Sequence, residues 1–382
     1  MTTAAILSTL AAIEALVLLA ARARPSLFRV LPSLFWIYFL PTVASTVGLI
    51  PNQHPIYKAA IDHALPASLA LLFLSANVPA IARLGPLALG TMAVSSAGVF
   101  LGGPALMLLF GSVLPPDSWS GIGALSASWM GGSINMVAVK ASIGTPDAIF
   151  AQVVVVDVIV AYAWMALLMA LAPRQHWLDR VTRSAAQSPG EAPSDTKQTG
   201  TSGWHLFPLV GIVAISAGGS VLSTVVGQVL PVVPGAITSF TWTVVVVTAV
   251  GVGLSFTPAR RLDQFGASRL GYVLLYFVLA CIGAQADLAA LHHAPLFIAV
   301  GTAWIFLHAV VLLVGGRIFR VPAFLLATAS QANIGGPVSA PIVADAYRPG
   351  LAGVGLLLAV LGNIYGTYLG IGCALLCKAL AT

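Results

Sequence analysis

The residues with the most chemical capacity in this chain lie in apolar surroundings. Asp157 stands within Val153-Val-Val-Val-Asp157-Val-Ile-Val-Ala-Tyr162, an acid with no charged neighbour. Two other apolar stretches, 118–144 and 321–347, are broken by small and polar residues. The breaks read Ser126-Ala-Ser-Trp-Met-Gly-Gly-Ser-Ile-Asn135 and Ser330-Gln-Ala-Asn-Ile-Gly-Gly-Pro-Val-Ser339. A carboxylate at the middle of a membrane costs several kcal/mol unless it is protonated, paired or solvated, so it marks a functional position by default. A helix broken at depth presents free N–H groups at one end and free carbonyls at the other. The first suit an anionic group and the second a cation. Glycine pairs allow the positive φ angles and close backbone approach that such a break needs.

These residue types point to binding rather than bond-making. The expected cation ligands are Asp157, Ser128, Ser133, Asn135 and Asn363. The expected solute-facing groups are Asn135, Asn333, Gln331, Ser339, Asn77 and the pairs Gly131-Gly132 and Gly335-Gly336. The ordinary alternatives are a small-residue seam for tight helix packing and a buried acid tied to neighbouring hydroxyls. Glu14 is a second acid in an apolar run, equally suited to packing or to an interface. His308 reads as a satisfied bundle histidine, and Lys140 as a residue that snorkels to the interface or attracts an anion. His292 and His293 are adjacent, so they do not share a helical face for a metal. No metal site beyond Na⁺ is expected. The three cysteines lie in apolar runs and imply neither disulfides nor zinc.

The elements that position these residues follow from composition. The chain is 59% hydrophobic and only 7% charged, with a mean hydropathy of +0.98, which places most of it in lipid. The net charge of +6 is spread singly over segment ends, so a nucleic-acid partner is excluded and the bilayer is the expected one. Crossing segments are expected at about 3–22, 32–50, 60–81, 86–111, 146–172, 205–230, 236–256, 268–286, 294–316 and 351–377. Residues 3–22 read as a retained helix, since they lack a basic start and a small-residue cleavage site. If both Gly-Gly stretches are re-entrant and the N-terminus lies outside, only Lys58, Lys140 and Lys378 of the 17 basic residues fall outside. If both stretches cross, the bias falls to eleven against six.

The hydrophilic stretch 173–203, rich in Ser, Thr, Pro and Gly, reads as a flexible cytoplasmic linker between a first repeat, 1–172, and a second, 204–382. At a shift of about 204 residues, Trp129-Met-Gly-Gly-Ser-Ile-Asn falls on Asn333-Ile-Gly-Gly-Pro-Val-Ser. Ala44 to Leu49 likewise falls on Ala249 to Leu254, and Asp157 has its counterpart near Asn363. Five crossings per half would invert the second repeat. The expected fold is therefore all-α and polytopic, with two inverted repeats of about five helices, each holding a Gly-Gly re-entrant or discontinuous helix.

Trp129-Met-Gly-Gly-Ser-Ile-Asn-Met-Val-Ala-Val-Lys140, with Gly144-Thr-Pro-Asp147, resembles a signature of the YjcL-like family of bacterial integral membrane proteins. Ser330-Gln-Ala-Asn-Ile-Gly-Gly-Pro337 and Gly362-Asn-Ile-Tyr-Gly-Thr-Tyr-Leu-Gly370 resemble its second signature. The resemblance covers nearly the whole chain. It implies the superfamily of cation/proton antiporters and sodium-coupled anion transporters, with a scaffold and a moving core, in the bacterial inner membrane. It supplies no substrate.

The leading expectation is a secondary active transporter that couples Na⁺ or H⁺ to a small anionic or zwitterionic solute, with no other cofactor. A cation/proton antiporter without organic solute is the alternative. A channel ranks lower. So does an intramembrane enzyme, because no His-Glu-x-x-His, paired-aspartate or Gly-x-Ser-x-Gly pattern occurs. The architecture also admits a homodimer through its peripheral helices.

Overall fold

The computed structural model describes residues 1–25, 28, 33–76, 78–184, 206–233, 238–286, 294–349 and 351–381. Among these residues all regular structure is helical and there is no strand. In lipid every backbone N–H and C=O needs a partner, which a helix supplies within its own segment. The first half contains α1 (Thr3–Ala23), α2 (Ser33–Thr46), α3 (Pro55–Leu74), α4 (Val78–Ala82), α5 (Gly85–Phe110), α6 (Ser118–Gly131), α7 (Ser133–Ile143) and α8 (Asp147–Leu171). The short α9 (Gln175–Thr182) follows. The second half contains α10 (Leu206–Val229), α11 (Ser239–Ser255), α12 (Ala267–Gln285), α13 (Ala294–Phe319), α14 (Ala323–Ile334), α15 (Gly336–Tyr347) and α16 (Ala352–Ala381).

All ten expected crossing segments contain a helix, although that at 60–81 is divided, with α3 ending at Leu74 and α4 following, and eight helices are long and apolar enough to span a bilayer. The two that fall short are α2, with 14 residues, and α11, with 17. A 95° bend separates α11 from the 3₁₀ turn at Pro258–Phe265. Helix starts are marked by ordinary signals. Thr2 caps α1 by accepting from Ala5 N at 3.3 Å, and Thr238 forms a reciprocal capping box with Thr241. The start of the expected linker is not loop but α9. This stretch holds no Gly or Pro between Arg174 and Gln187, and it sets Trp177 and Val181 four residues apart on one face. Residues 185–203 of that linker lie outside the described residues.

Contacts divide the chain into two compact units, each drawing helices from both halves of the sequence. The first comprises Met1–Ser75, Lys140–Val158 and Gly200–Pro295. Here α3 packs on α10, α11 and α12, while α2 packs on α1 and α12. Thr42 Oγ1 donates to Gly283 O at 2.8 Å, fixing α2 on α12. The pair Lys140–Asp147, at 2.8 Å, closes the turn between α7 and α8.

The second unit comprises Ala76–Val139, Ile159–Thr199 and Leu296–Thr382. Its axis is α16, which packs against α5, α6, α14 and α15. Glycine and alanine recur every fourth residue on both sides of the α6–α16 seam. A Cβ on Gly123 would lie 2.3 Å from Ala374 Cβ, and one on Gly370 2.4 Å from Ala127 Cβ. A Cβ on Gly366 would lie 2.8 Å from Gly131 Cα. This is the small-residue packing by which helices in lipid approach most closely.

Gly370→Val should therefore destabilise the protein by roughly 1–3 kcal/mol through overpacking. Gly218→Ala, whose added methyl meets no neighbouring segment within 4 Å, should not lower the thermal unfolding temperature in detergent.

Candidate functional site

The two Gly-Gly breaks meet inside the second unit. Helix α6 ends at Gly131 and α7 begins at Ser133, leaving Gly132 alone between them at φ +78°. Helix α14 ends at Ile334, and Gly336 opens α15 at φ +65°. Both φ values lie in the left-handed region, where a side chain costs roughly 1–2 kcal/mol. A Cβ on Gly336 would lie 3.8 Å from Gly132 Cα. One on Gly132 would lie 3.5 Å from Asn363 Oδ1 and 3.9 Å from Pro337 Cδ.

The first glycine of each pair has a different duty. A Cβ on Gly131 would fall 2.0 Å from Asn135 Nδ2, and one on Gly335 would fall 2.0 Å from both Gln331 Nε2 and Ser339 Oγ. In each break one glycine bends the chain and its neighbour makes room for polar side chains against the backbone.

Contacts along α16 order the four broken segments. On α6, Gly123, Ala127 and Gly131 face Ala374, Gly370 and Gly366 in turn. On α7, Asn135 meets Thr367, and Val139 returns to within 3.1 Å of the Cβ position on Gly370. At the other break, Arg348, which caps α15, stacks 4.3 Å over Phe324 at the start of α14. Helix α9 touches the same two ends. Asp179 Oδ1 accepts from Ala323 N at 2.8 Å, and Gln175 Nε2 donates to Tyr347 O at 3.3 Å.

Several expected ligands already have partners within the unit. Asn135 is fully buried, donates to Gly131 O at 2.6 Å and accepts from Thr367 Oγ1. Asn333, also fully buried, donates to Ser95 Oγ at 2.7 Å and accepts from Ser96 Oγ at 3.1 Å. Ser96 also bonds Tyr365 OH, and Ser95 donates to Ala329 O at 3.2 Å. Gln331 Nε2 donates to Ser339 Oγ at 2.8 Å. Ser128 is buried and its carbonyl accepts from Gly132 N. Ser133 opens α7 immediately after the bend. Beside the junction, two buried acceptors have no hydrogen-bond partner, Asn363 Oδ1 and Gln331 Oε1. Such atoms are costly in an apolar medium unless something fills their valence.

Asp157 is half-buried, the eleventh of the 25 residues of α8, on the part of that helix that packs in the first unit. Asn77 lies outside the described residues. So do His292 and His293.

Sequence reasoning missed Ser95, Ser96, Tyr365 and Thr367, which hold the two asparagines. The adjacent serines of α5 stood out only weakly among small residues. Tyr365 and Thr367 lie in the Gly362-to-Gly370 signature but carry no signal of partnership. His308 is fully buried, with Nε2 2.9 Å from Ser330 Oγ, which also accepts from Trp164 Nε1 at 2.9 Å. No group of three or more metal-ligating side chains occurs among the described residues.

An all-helical chain with eight apolar spans and polar helix breaks buried in one unit is a multi-pass membrane protein. The chain belongs to the family described as "Protein of unknown function (DUF819)", whose model matches residues 8–380. It is similar to the "Uncharacterized membrane protein YjcL" of Bacillus subtilis (strain 168), with 26% identity over 347 residues, covering 86% of this chain and 85% of the relative.

The asparagine brace makes a specific expectation. Thr367→Val leaves Asn135 Oδ1 buried without its donor and should lower stability by about 1–3 kcal/mol. Thr367→Ser should retain most of it, as read by thermal unfolding in detergent.

Proposed function

We propose that this chain is a secondary active transporter of a bacterial inner membrane, in which a Na⁺ or H⁺ gradient drives a small anionic or zwitterionic solute by alternating access. The observation that carries this reading is the approach of Gly132 to Gly336, with two unpartnered amide oxygens beside it. Irregular backbone at membrane depth is tolerated where it lines a binding cavity, and paired breaks in corresponding places of two halves are the transporter form of it. The helix order of the first half recurs in the second about 203 to 212 residues on, which supports a repeat.

In this reading both broken segments are re-entrant. The return of Val139 to Gly370, and of Arg348 to Phe324, supports a reversal at each break rather than a continued crossing. The first reversal starts beside Lys378, which stacks 4.5 Å from Trp119, near the end of α16. The second starts at Phe324 beside Arg348, which lies four residues before α16 begins at Ala352. Entry from opposite ends is what two inverted repeats of five crossings require, and it agrees with the stronger charge bias.

The division of labour follows from which atoms have spare capacity. Asn135 and Asn333 hold the tips in place through their own hydrogen bonds. Asn363 Oδ1 and Gln331 Oε1 remain to meet a cation, with helix-end N–H groups to meet the anionic part of the solute. Asp157 supplies the ionisable group, with a carboxylate binding Na⁺ or carrying a proton. Two separately packed units suit alternating access, which needs parts that keep their own packing while they move.

Proteoliposome uptake under an imposed Na⁺ or H⁺ gradient tests this reading. Asp157→Asn should abolish gradient-driven transport while the protein still melts at its usual temperature. Normal transport with unchanged cation dependence would remove Asp157 from the mechanism, and cation exchange without solute uptake would favour the antiporter. Re-entrance has its own test, because all three native cysteines are buried. Cysteines placed at the exposed Pro116 and Pro146 should react with an impermeant maleimide from the same side of the membrane. Reaction from opposite sides would mean that α6 and α7 cross.

A further inference from the structure

Within the second unit, an apolar groove of about 230 Å³ runs between the start of α5 and the end of α13. Leu87, Gly90, Val94, Leu312 and Phe319 are among its walls. The one hydroxyl in its lining, on Thr91, is turned back to Leu87 O at 2.7 Å and offers a ligand little. A groove of this kind takes an alkyl chain rather than a polar solute.

The rim beside it is strongly basic. Arg83 lies just before α5, Arg317 and Arg320 flank the end of α13, and Arg180 and Arg183 lie at the end of α9. All five are exposed. Helix α9 is fixed to this rim through the bond from Ala323 N to Asp179. A Cβ on Gly316, in the groove wall, would lie 3.3 Å from Thr182 Cγ2. The acids at this end are Asp179 and Asp345, and the former is occupied by Ala323 N and Ser184 Oγ. Helix α9 also exposes Trp177 at 58% and Val181 at 36%, the apolar side of an interfacial helix with arginines around it.

We propose that this groove and rim bind one anionic phospholipid. One acyl chain would lie between α5 and α13, and the phosphate would lie among Arg83, Arg183, Arg317 and Arg320. The charge complementarity is local, and the apolar and basic parts are contiguous in sequence at Gly316-Arg317 and Arg320-Val321. This inference is independent of the transport reading, since none of these residues belongs to the Gly-Gly junction.

The test uses the full chain, purified in detergent and titrated with phosphatidylglycerol or phosphatidylcholine of identical acyl chains, with binding read by native mass spectrometry and by the melting temperature. Phosphatidylglycerol should bind more tightly and raise the melting temperature further. Arg317→Gln and Arg320→Gln should each weaken its binding roughly fivefold, the loss of one basic residue near an anionic headgroup. In Gly90→Leu the new Cβ starts with no neighbouring atom within 4 Å and the side chain extends into the groove that Gly90 lines, so the variant should fold, fill the groove and displace the acyl chain. The proposal is overturned if both lipids bind equally, or if the arginine variants bind phosphatidylglycerol as the parent does. It is equally overturned if Gly90→Leu leaves binding unchanged, or if soluble glycerol phosphate competes as well as the lipid does.

Discussion

The approach of Gly132 to Gly336 sets the terms for the rest of the second unit. A Cβ on either residue would meet only ordinary van der Waals contacts, so glycine is required here because each chain turns with φ in the left-handed region. The approach in turn demands that α6 lie close on α16, because α16 supplies Asn363 beside the junction. That closeness is made by the Gly123, Ala127, Gly131 ladder against Gly366, Gly370 and Ala374. A bulky residue anywhere on the seam would push the break outward along with the helix that bears it.

A helix interrupted in an apolar medium must also account for the backbone groups it frees. Here polar side chains from neighbouring segments take up that role. Asn135 reaches back to Gly131 O and is steadied from α16 by Thr367. Asn333 is held from α5 by Ser95 and Ser96, with Tyr365 of α16 behind them. Each amide has both its donor and acceptor sides engaged, which is the condition under which a buried polar network adds definition rather than cost. The consequence is functional as well as structural. Each of these amides keeps a second N–H and a second lone pair, whereas Asn363 Oδ1 and Gln331 Oε1 have no hydrogen-bond partner at all.

Much of this was legible in the sequence because it is written in residue type and spacing. Apolar length located the long helices to within a few residues except α3, which runs Pro55–Leu74 where 60–81 was expected, and the repeated Gly-Gly pairs located both breaks. The notable divergence is α9, where polar composition suggested a loop. An amphipathic helix at an interface needs only two or three apolar residues on one face, so Trp177 and Val181 do not register in an average over the stretch. What could not be read was partnership. Ser95 and Asn333 are 238 residues apart, and nothing in either local sequence says that they meet. The two packing units were equally hidden. The expected repeat would divide the chain at its middle, whereas the units take helices from both sides of that division.

The pair Asp157 and Asn363 carries the remaining asymmetry. The expected repeat makes them counterparts, one ionisable and one neutral, and the packing assigns α16 around Asn363 to the unit that holds both breaks. A site made only of amide oxygens and helix ends binds a cation weakly, which suits release but gives no means of coupling to protons. A site made of two carboxylates would hold Na⁺ strongly and repel an anionic solute. In the proposed mechanism Asn363 and Gln331 keep the junction of the breaks neutral, so that an anionic solute is not repelled there. The ionisable group that coupling requires is then supplied by Asp157, on the part of α8 that packs in the first unit.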